Sequence, residues 1–163
     1  MARLLRITLA KRGVSCVAEL LEKQAPRTCE AVWNALPLGG DIQHAKYARN
    51  EVYAMLGQFA DPIGQENPTV TPIPGDVVLF EFPGGMLDED FKRDKGVEAL
   101  PMVIDLAIFY GRNNLLLNAD VGWVPGNVYA TIVEGLDEMA AACHDVWRSG
   151  SVGESLVYER HEG

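Results

Sequence analysis

The sequence is short of cations. Its 163 residues contain 14 Lys and Arg against 23 Asp and Glu, which gives a formal net charge of -9. Phosphate-binding surfaces are basic, and no basic stripe offsets this charge locally. We therefore expect no nucleic acid partner. Acidity of this size is typical of a soluble protein.

Long apolar runs are also missing. The opening residues "MARLLRITLAKRG" are interrupted by Arg6, Thr8 and Lys11, whereas a signal peptide has an unbroken apolar core of roughly 7–15 residues. No segment approaches the roughly 20 apolar residues that cross a bilayer. These absences predict a cytoplasmic protein with no membrane partner.

Metal and cofactor motifs are absent as well. Cys16, Cys29 and Cys143 are odd in number and widely spaced, so we expect small buried hydrophobes and not a disulfide or zinc site. His44 and Glu51 supply only two ligands, fewer than the three that catalytic zinc usually takes. No dinucleotide fingerprint, P-loop or nucleophile elbow occurs, so we predict no cofactor and no metal.

Hydrophobic periodicity predicts many short strands and two principal helices. Proline density in the segment 61–75 predicts an ordered loop, and the charged segment 83–101 predicts a mobile excursion. Because no βαβ rhythm appears, we expect one domain over residues 1–163, folded as a mainly β, mostly antiparallel barrel. The predicted strands are 4–10, 14–20, 41–48, 51–56, 76–82, 103–111, 127–135 and 154–160, and the predicted helices are 26–36 and 136–149.

The segment 14–37 resembles cyclophilins. Their acidic-apolar strand end, Pro-cation-Thr turn and aromatic-bearing helix have counterparts in Glu19-Leu20, Pro26-Arg27-Thr28, Trp33 and Leu36. This resemblance covers about the first quarter of the chain. The isomerase's Phe-His-Arg strand and Gln-Gly-Gly stretch are missing, so the resemblance implies the fold and not the activity.

Over residues 4–148 the chain is similar to uncharacterised bacterial proteins with a cyclophilin-like fold. Their landmarks have counterparts in His44-Ala45, Glu51, "ENPT" at 66–69, "PGD" at 74–76 and Gly126-Asn127. The resemblance implies a closed antiparallel cyclophilin-like β-barrel of about eight strands with capping helices. Members of the group have no settled activity.

The stretch "HAKYARNEVY" at 44–53 gathers the candidate site. A hairpin turning at Arg49-Asn50 would bring its two arms together, so we expect His44 to face a concave surface within reach of Glu51 or Arg49. The predicted ligand-binding residues are His44, Arg49, Glu51, Tyr53 and, at the rim of the pocket, Tyr110. A solvated hairpin is an equally weighted alternative.

The leading functional hypothesis is a protein that binds a small, carboxylate-bearing ligand in this groove. Whether it is an enzyme is left open; as one, it would use His44 or Glu51 as general acid or base and Arg49 to hold an anion. The alternatives are a prolyl isomerase with an altered site and a structural or assembly module. Trp123, expected in an exposed loop, predicts a homo-oligomer.

The missing isomerase motifs predict that the protein does not accelerate proline isomerisation. The uncatalysed X-Pro exchange crosses a barrier of about 18–20 kcal/mol and is slow enough to follow directly. In a coupled proline-peptide assay we expect no rate above background. An enhancement that disappears in Arg49→Ala would show that an altered isomerase site is present.

Overall fold

The computed structural model describes residues 1–83 and 102–162, so most of the 83–101 excursion lies outside the described residues. Eleven strands and two helices are formed within these ranges. Their bounds are β1 Leu4–Leu9, β2 Val14–Leu20, α1 Pro26–Ala35, β3 Leu38–His44, β4 Glu51–Gly57, β5 Pro68–Thr69, β6 Asp76–Pro83, β7 Met102–Phe109, β8 Leu117–Asn118, β9 Gly122–Trp123, β10 Gly126–Glu134, α2 Leu136–Ser149 and β11 Ser155–His161.

Eight of the described strands close into an antiparallel barrel. They pair in the order β2-β1-β11-β3-β4-β7-β6-β10, and β10 returns to β2. Closure pairs every long strand on both sides, which removes free sheet edges. The predicted closed antiparallel barrel with two principal helices is therefore confirmed. The C-terminal strand β11 is an integral member, because it lies between β1 and β3.

Alternating apolar residues fill the barrel interior. On β1, Leu5, Ile7 and Leu9 are fully buried while the residues between them face outward. Helix α2 packs against β2 and β3, and α1 packs against β10. The three cysteines are buried and free, as expected, and burial raises the pKa of Cys16 and Cys29 to about 12.

Strand β7 is covered on both faces. Every residue from 103 to 109 is buried, although only alternate residues face the barrel interior. The outward residues join a second apolar cluster formed with β6, β10 and nearby loops. Its buried members are Ala45, Ala48, Val78, Phe80, Ala107, Phe109, Leu116 and Val128. The loops therefore build a second small core on the outside of the sheet.

The segment between β3 and β4 differs from the predicted hairpin. Strand β3 begins at Leu38 and ends at His44, and residues 45–50 form a loop in which Arg49 has a left-handed φ of 84°. Gly39, which lies between the predicted helix 26–36 and the predicted strand 41–48, belongs to β3 and stands opposite Val157. A Cβ on Gly39 would stand 3.0 Å from the Leu156 carbonyl oxygen, so glycine permits the close approach of β11.

The proline-rich loop is fixed by its polar residues. The Glu66 carboxylate accepts hydrogen bonds from the backbone N–H groups of Arg27 (3.0 Å) and Thr28 (2.9 Å), at the start of α1. The Asn127 amide oxygen accepts the N–H groups of Glu66 (2.7 Å) and Asn67 (3.0 Å). The "ENPT" and Gly-Asn landmarks thus have a structural role: they connect the loop, α1 and β10.

Removing the Glu66 carboxylate should destabilise the fold. Although burial opposes its ionisation, hydrogen bonds from Thr28 and Arg27 hold its pKa below the ordinary value. Because Glu66→Ala leaves unsatisfied donors at the start of α1, we expect a loss of about 1–3 kcal/mol in urea unfolding. The exposed Glu159→Ala is the control; equal stability of the two variants would contradict the capping role.

Candidate functional site

The strand register separates the predicted site residues. His44 pairs with Val52, whose side chain lies in the barrel interior, while Glu51 pairs with Phe109 of the outer cluster. Directly paired residues face the same side of a sheet, so His44 and Glu51 project to opposite faces. The single groove expected from the sequence is therefore not formed. Two separate groupings take its place.

The first grouping lies at the end of the barrel beside α2. His44 Nε2 is 2.6 Å from the Tyr110 hydroxyl, and Nδ1 is 2.9 Å from the Ala45 carbonyl oxygen. Since a carbonyl only accepts, Nδ1 carries the hydrogen and Nε2 accepts the Tyr110 proton. The His44 ring lies 5.0 Å from that of Trp147, between ring centroids.

This environment favours the neutral form of both partners. Burial lowers the pKa of His44 and raises the pKa of Tyr110 to about 12. Both ring nitrogens of His44 are engaged by the protein itself. His44 and Tyr110 therefore form a packed, hydrogen-bonded pair at the end of the barrel.

The second grouping lies on the outer face of β4 and β7. Glu51 and Asp105 are only 6% and 5% exposed, and Tyr53 stands on the same face between their positions along the sheet. Burial raises the pKa of Glu51 to about 8, and burial followed by the charge of Glu51 raises the pKa of Asp105. Two carboxyl groups thus compete for ionisation in one buried region.

Asp105 was not recognised in the sequence. Its sequence feature is a lone carboxylate inside the apolar run "VIDLAIF". Because β7 is buried on both faces, this carboxylate has no solvent-exposed side of the strand to occupy. Its Oδ1 atom is buried and has no hydrogen-bond partner among residues 1–83 and 102–162. Among the described residues, the ion pairs involve Arg3, Arg12 and Arg27, and none reaches Asp105 or Glu51.

Arg49 belongs to neither grouping. It is exposed in the loop 45–50, with its backbone in the left-handed region. Of the five residues proposed from the sequence, the structure brings His44 to Tyr110 and Glu51 to Tyr53. That any of the five binds a ligand stays a prediction.

An aromatic cleft opens on the same outer face as Asp105. Its volume is about 250 Å³, and its sides are formed by the loop at Gly64-Gln65, strand β6 and the segment 123–127. The rings of Phe80 and Phe82 stack with centroids 5.8 Å apart and an interplanar angle of 7°. The exposed Trp123 stands at the rim.

Gly126 shapes this cleft. A Cβ at that position would stand 2.6 Å from Cε1 of Phe80 and 2.5 Å from Cγ1 of Val78. Only glycine therefore lets the Phe80 ring pack against β10. The neighbouring Pro125 and Asn127 line the cleft, so the Gly-Asn landmark both fixes the loop and makes room for the ring.

The family model for a protein of unknown function, DUF3830, matches residues 7–158. The chain belongs to this family. The expectation of an uncharacterised family is thereby confirmed, while the bacterial origin and the cyclophilin likeness stay predictions. A search of the curated proteins gave no match.

Two solved structures are similar to this chain. McbB, solved in complex with tryptophan, is 17% identical with a TM-score of 0.66 and is matched over 98% of this chain and 45% of its own. The chain described here thus spans less than half the length of McbB, and the similarity between the two shows the fold alone. The hypothetical protein AF2241 from Archaeoglobus fulgidus is 22% identical with a TM-score of 0.49, over 98% and 95% of the two chains.

Two further absences hold for the described residues. Residues 1–83 and 102–162 contain no group of three metal-binding side chains. In the same ranges, neither helix has the length and apolar character needed to span a membrane. The homo-oligomer expected from Trp123, whose side chain is exposed, stays a prediction.

The raised pKa of Glu51 predicts a pH-dependent stability. Its stabilising contribution is complete below the ordinary pKa near 4.5 and is lost as pH rises through about 8, since a buried charge then forms. From pH 5 to pH 9 we expect wild type to lose on the order of 1–3 kcal/mol more than Glu51→Gln in urea unfolding.

The control for this measurement is the exposed Glu159→Gln, which should follow the wild-type pH profile. Parallel profiles for wild type and Glu51→Gln would show that Glu51 titrates normally and that its burial imposes no charge penalty.

Proposed function

We propose that this protein binds a small molecule with an aromatic or apolar body in the outer-face cleft. The observation that carries the proposal is the set of three aromatic rings at the cleft, Phe80, Phe82 and Trp123. Binding sites for small molecules are typically concave and lined by such rings, with a few polar groups that fix orientation. Trp123 is 58% exposed, so its ring has surface left to cover a ligand.

The size of the cleft limits the ligand. At about 250 Å³ it is smaller than the roughly 300–1,000 Å³ of pockets for drug-sized molecules. A ligand of the size of one amino acid matches this volume. McbB was solved with tryptophan, which supports an indole as the first ligand to test.

The charges nearby revise the ligand expected from the sequence. A ligand carboxylate in the cleft would meet Glu81, which lines it, and would lie near the buried Asp105; like charges in a buried site repel strongly. The outer face therefore favours a neutral or cationic ligand. A carboxylate is accommodated only where it points away from β7, toward solvent.

The barrel end is the alternative location. There Trp147 is 60% exposed and lies against His44, and its exposure is similar to that of Trp123 at the outer cleft. Both His44 nitrogens are already engaged, so His44 itself has no free atom to orient a ligand. We therefore assign binding to the outer cleft.

The two exposed tryptophans make a matched test. Titration calorimetry with L-tryptophan, tryptamine, indole-3-propionate and 3-methylindole should detect binding of at least one indole to the wild-type protein. Trp123→Ala should weaken that binding at least tenfold, because it removes one of the three rings. Trp147→Ala should leave the affinity within about twofold.

The opposite pattern would place the site at the barrel end. Unchanged affinity in Trp123→Ala together with loss in Trp147→Ala would refute the outer cleft. If none of the four indoles binds to the folded wild-type protein, the proposed ligand class is wrong. Circular dichroism of each variant, set against wild type, separates loss of a contact from loss of the fold.

A further inference from the structure

Two buried carboxyl groups on one sheet face either keep their protons or need a compensating partner. Moving a carboxylate out of water is costly unless it is paired and hydrogen-bonded. Asp105 has a buried oxygen without a hydrogen-bond partner, and no described cation lies within ion-pair distance of Asp105 or Glu51. Elsewhere the chain meets this requirement fully: buried Glu154 accepts bonds from Lys11, Arg12 and Ser155.

The strand register places Asp105 beside the cleft. Asp105 pairs directly with Phe80 of β6, one of the rings that line the cleft, and with Met55 of β4 on its other side. Directly paired side chains have Cβ atoms about 4.5–5.5 Å apart. The carboxyl group therefore adjoins the aromatic wall, on the same outward face of the sheet.

Glu51 lies farther along the same face. The row between the two acids holds Tyr53, Ala107 and Val78, and Ala107 is the smallest of these side chains. The charge of Glu51 adds to burial in raising the pKa of Asp105 across this row, and both acids add to burial in raising the pKa of Tyr53. A positive charge beside Asp105 would lower the cost of ionising it directly and would act on Glu51 at longer range.

We propose that Asp105, supported by Glu51, binds the protonated amine of the ligand whose aromatic body occupies the outer-face cleft. This inference rests on the proposed function and names its ligand class: small aromatic amines, amino acids included. The carboxylate supplies the hydrogen-bond acceptors that an ammonium group needs, and the rings of Phe80 and Phe82 favour a nearby cation through their π faces.

The four indoles separate the amine from the ring. Tryptamine carries only the amine, indole-3-propionate only the carboxylate, L-tryptophan both and 3-methylindole neither. We expect tryptamine to bind at least tenfold more tightly than 3-methylindole, and indole-3-propionate to bind most weakly. Equal affinities for tryptamine and 3-methylindole would refute the amine site while leaving the aromatic cleft intact.

Proton release is a second measurement, one that a purely structural role for Asp105 would not affect. Because burial raises the pKa of both acids, that of Glu51 to about 8, an arriving ammonium group that favours the charged carboxylate should displace a proton. Calorimetry of tryptamine binding at pH 7 in buffers of different ionisation enthalpy should therefore show proton release, absent for 3-methylindole. Tryptamine affinity should rise as pH increases from 6 to 8.

The decisive variant is Asp105→Asn, which keeps the shape and removes the charge. It should weaken tryptamine at least tenfold, leave 3-methylindole within about twofold and abolish proton release. Asp41→Asn, which removes an exposed carboxylate from β3, should change none of these. If Asp105→Asn instead destabilises the ligand-free protein and leaves the tryptamine preference unchanged, the pair is satisfied within the chain and the proposal is wrong.

Discussion

Burial of β7 on both faces is the constraint on which the rest of the arrangement depends. Its inward residues, such as Leu106 and Ile108, fill the barrel, while its outward residues Ala107 and Phe109 lie beneath the surrounding loops. A strand without a solvated side normally consists of apolar residues alone. Asp105 violates that pattern, and the cost of burying its charge makes it informative about function.

The outer core exists because the loops are held against the sheet by a few polar side chains. Glu66 joins the proline-rich loop to the start of α1, and Asn127 joins the same loop to β10. Gly126, between these contacts, leaves the space that the Phe80 ring occupies. The cleft is thus a consequence of how the loops are anchored, and its aromatic lining combines the buried Phe80 ring with Phe82 and Trp123, which the anchoring leaves uncovered in part.

The two faces of the sheet around β4 differ in chemistry. On the inner side, His44 and Tyr110 satisfy each other, and the remaining imidazole nitrogen meets the Ala45 carbonyl. On the outer side, Glu51 and Asp105 are buried on one face, and burial together with the charge of Glu51 raises the pKa of Asp105. Satisfied polar groups stabilise a fold, whereas unsatisfied ones of like charge have a cost that a bound cation relieves.

The sequence by itself determined most elements and a mostly antiparallel barrel, because period-two alternation and helical spacing are local properties of the chain; closure of the barrel was implied only by the resemblance to a known fold. It also marked the landmarks at Glu66 and Asn127, and it selected His44, Glu51, Tyr53 and Tyr110. It did not determine which of them meet. Adjacent residues on paired strands face opposite sides, and the register that places His44 opposite Val52 depends on where the 45–50 loop begins.

Only the tertiary structure showed that Asp105 is buried on a face already holding Glu51. In the sequence these residues are separated by 53 intervening positions, which include the proline-rich loop and all of β6. Antiparallel pairing of β4 with β7 brings them to one surface, and the loops then exclude water from it. Such long-range burial is set by packing of the whole chain, which local patterns do not encode.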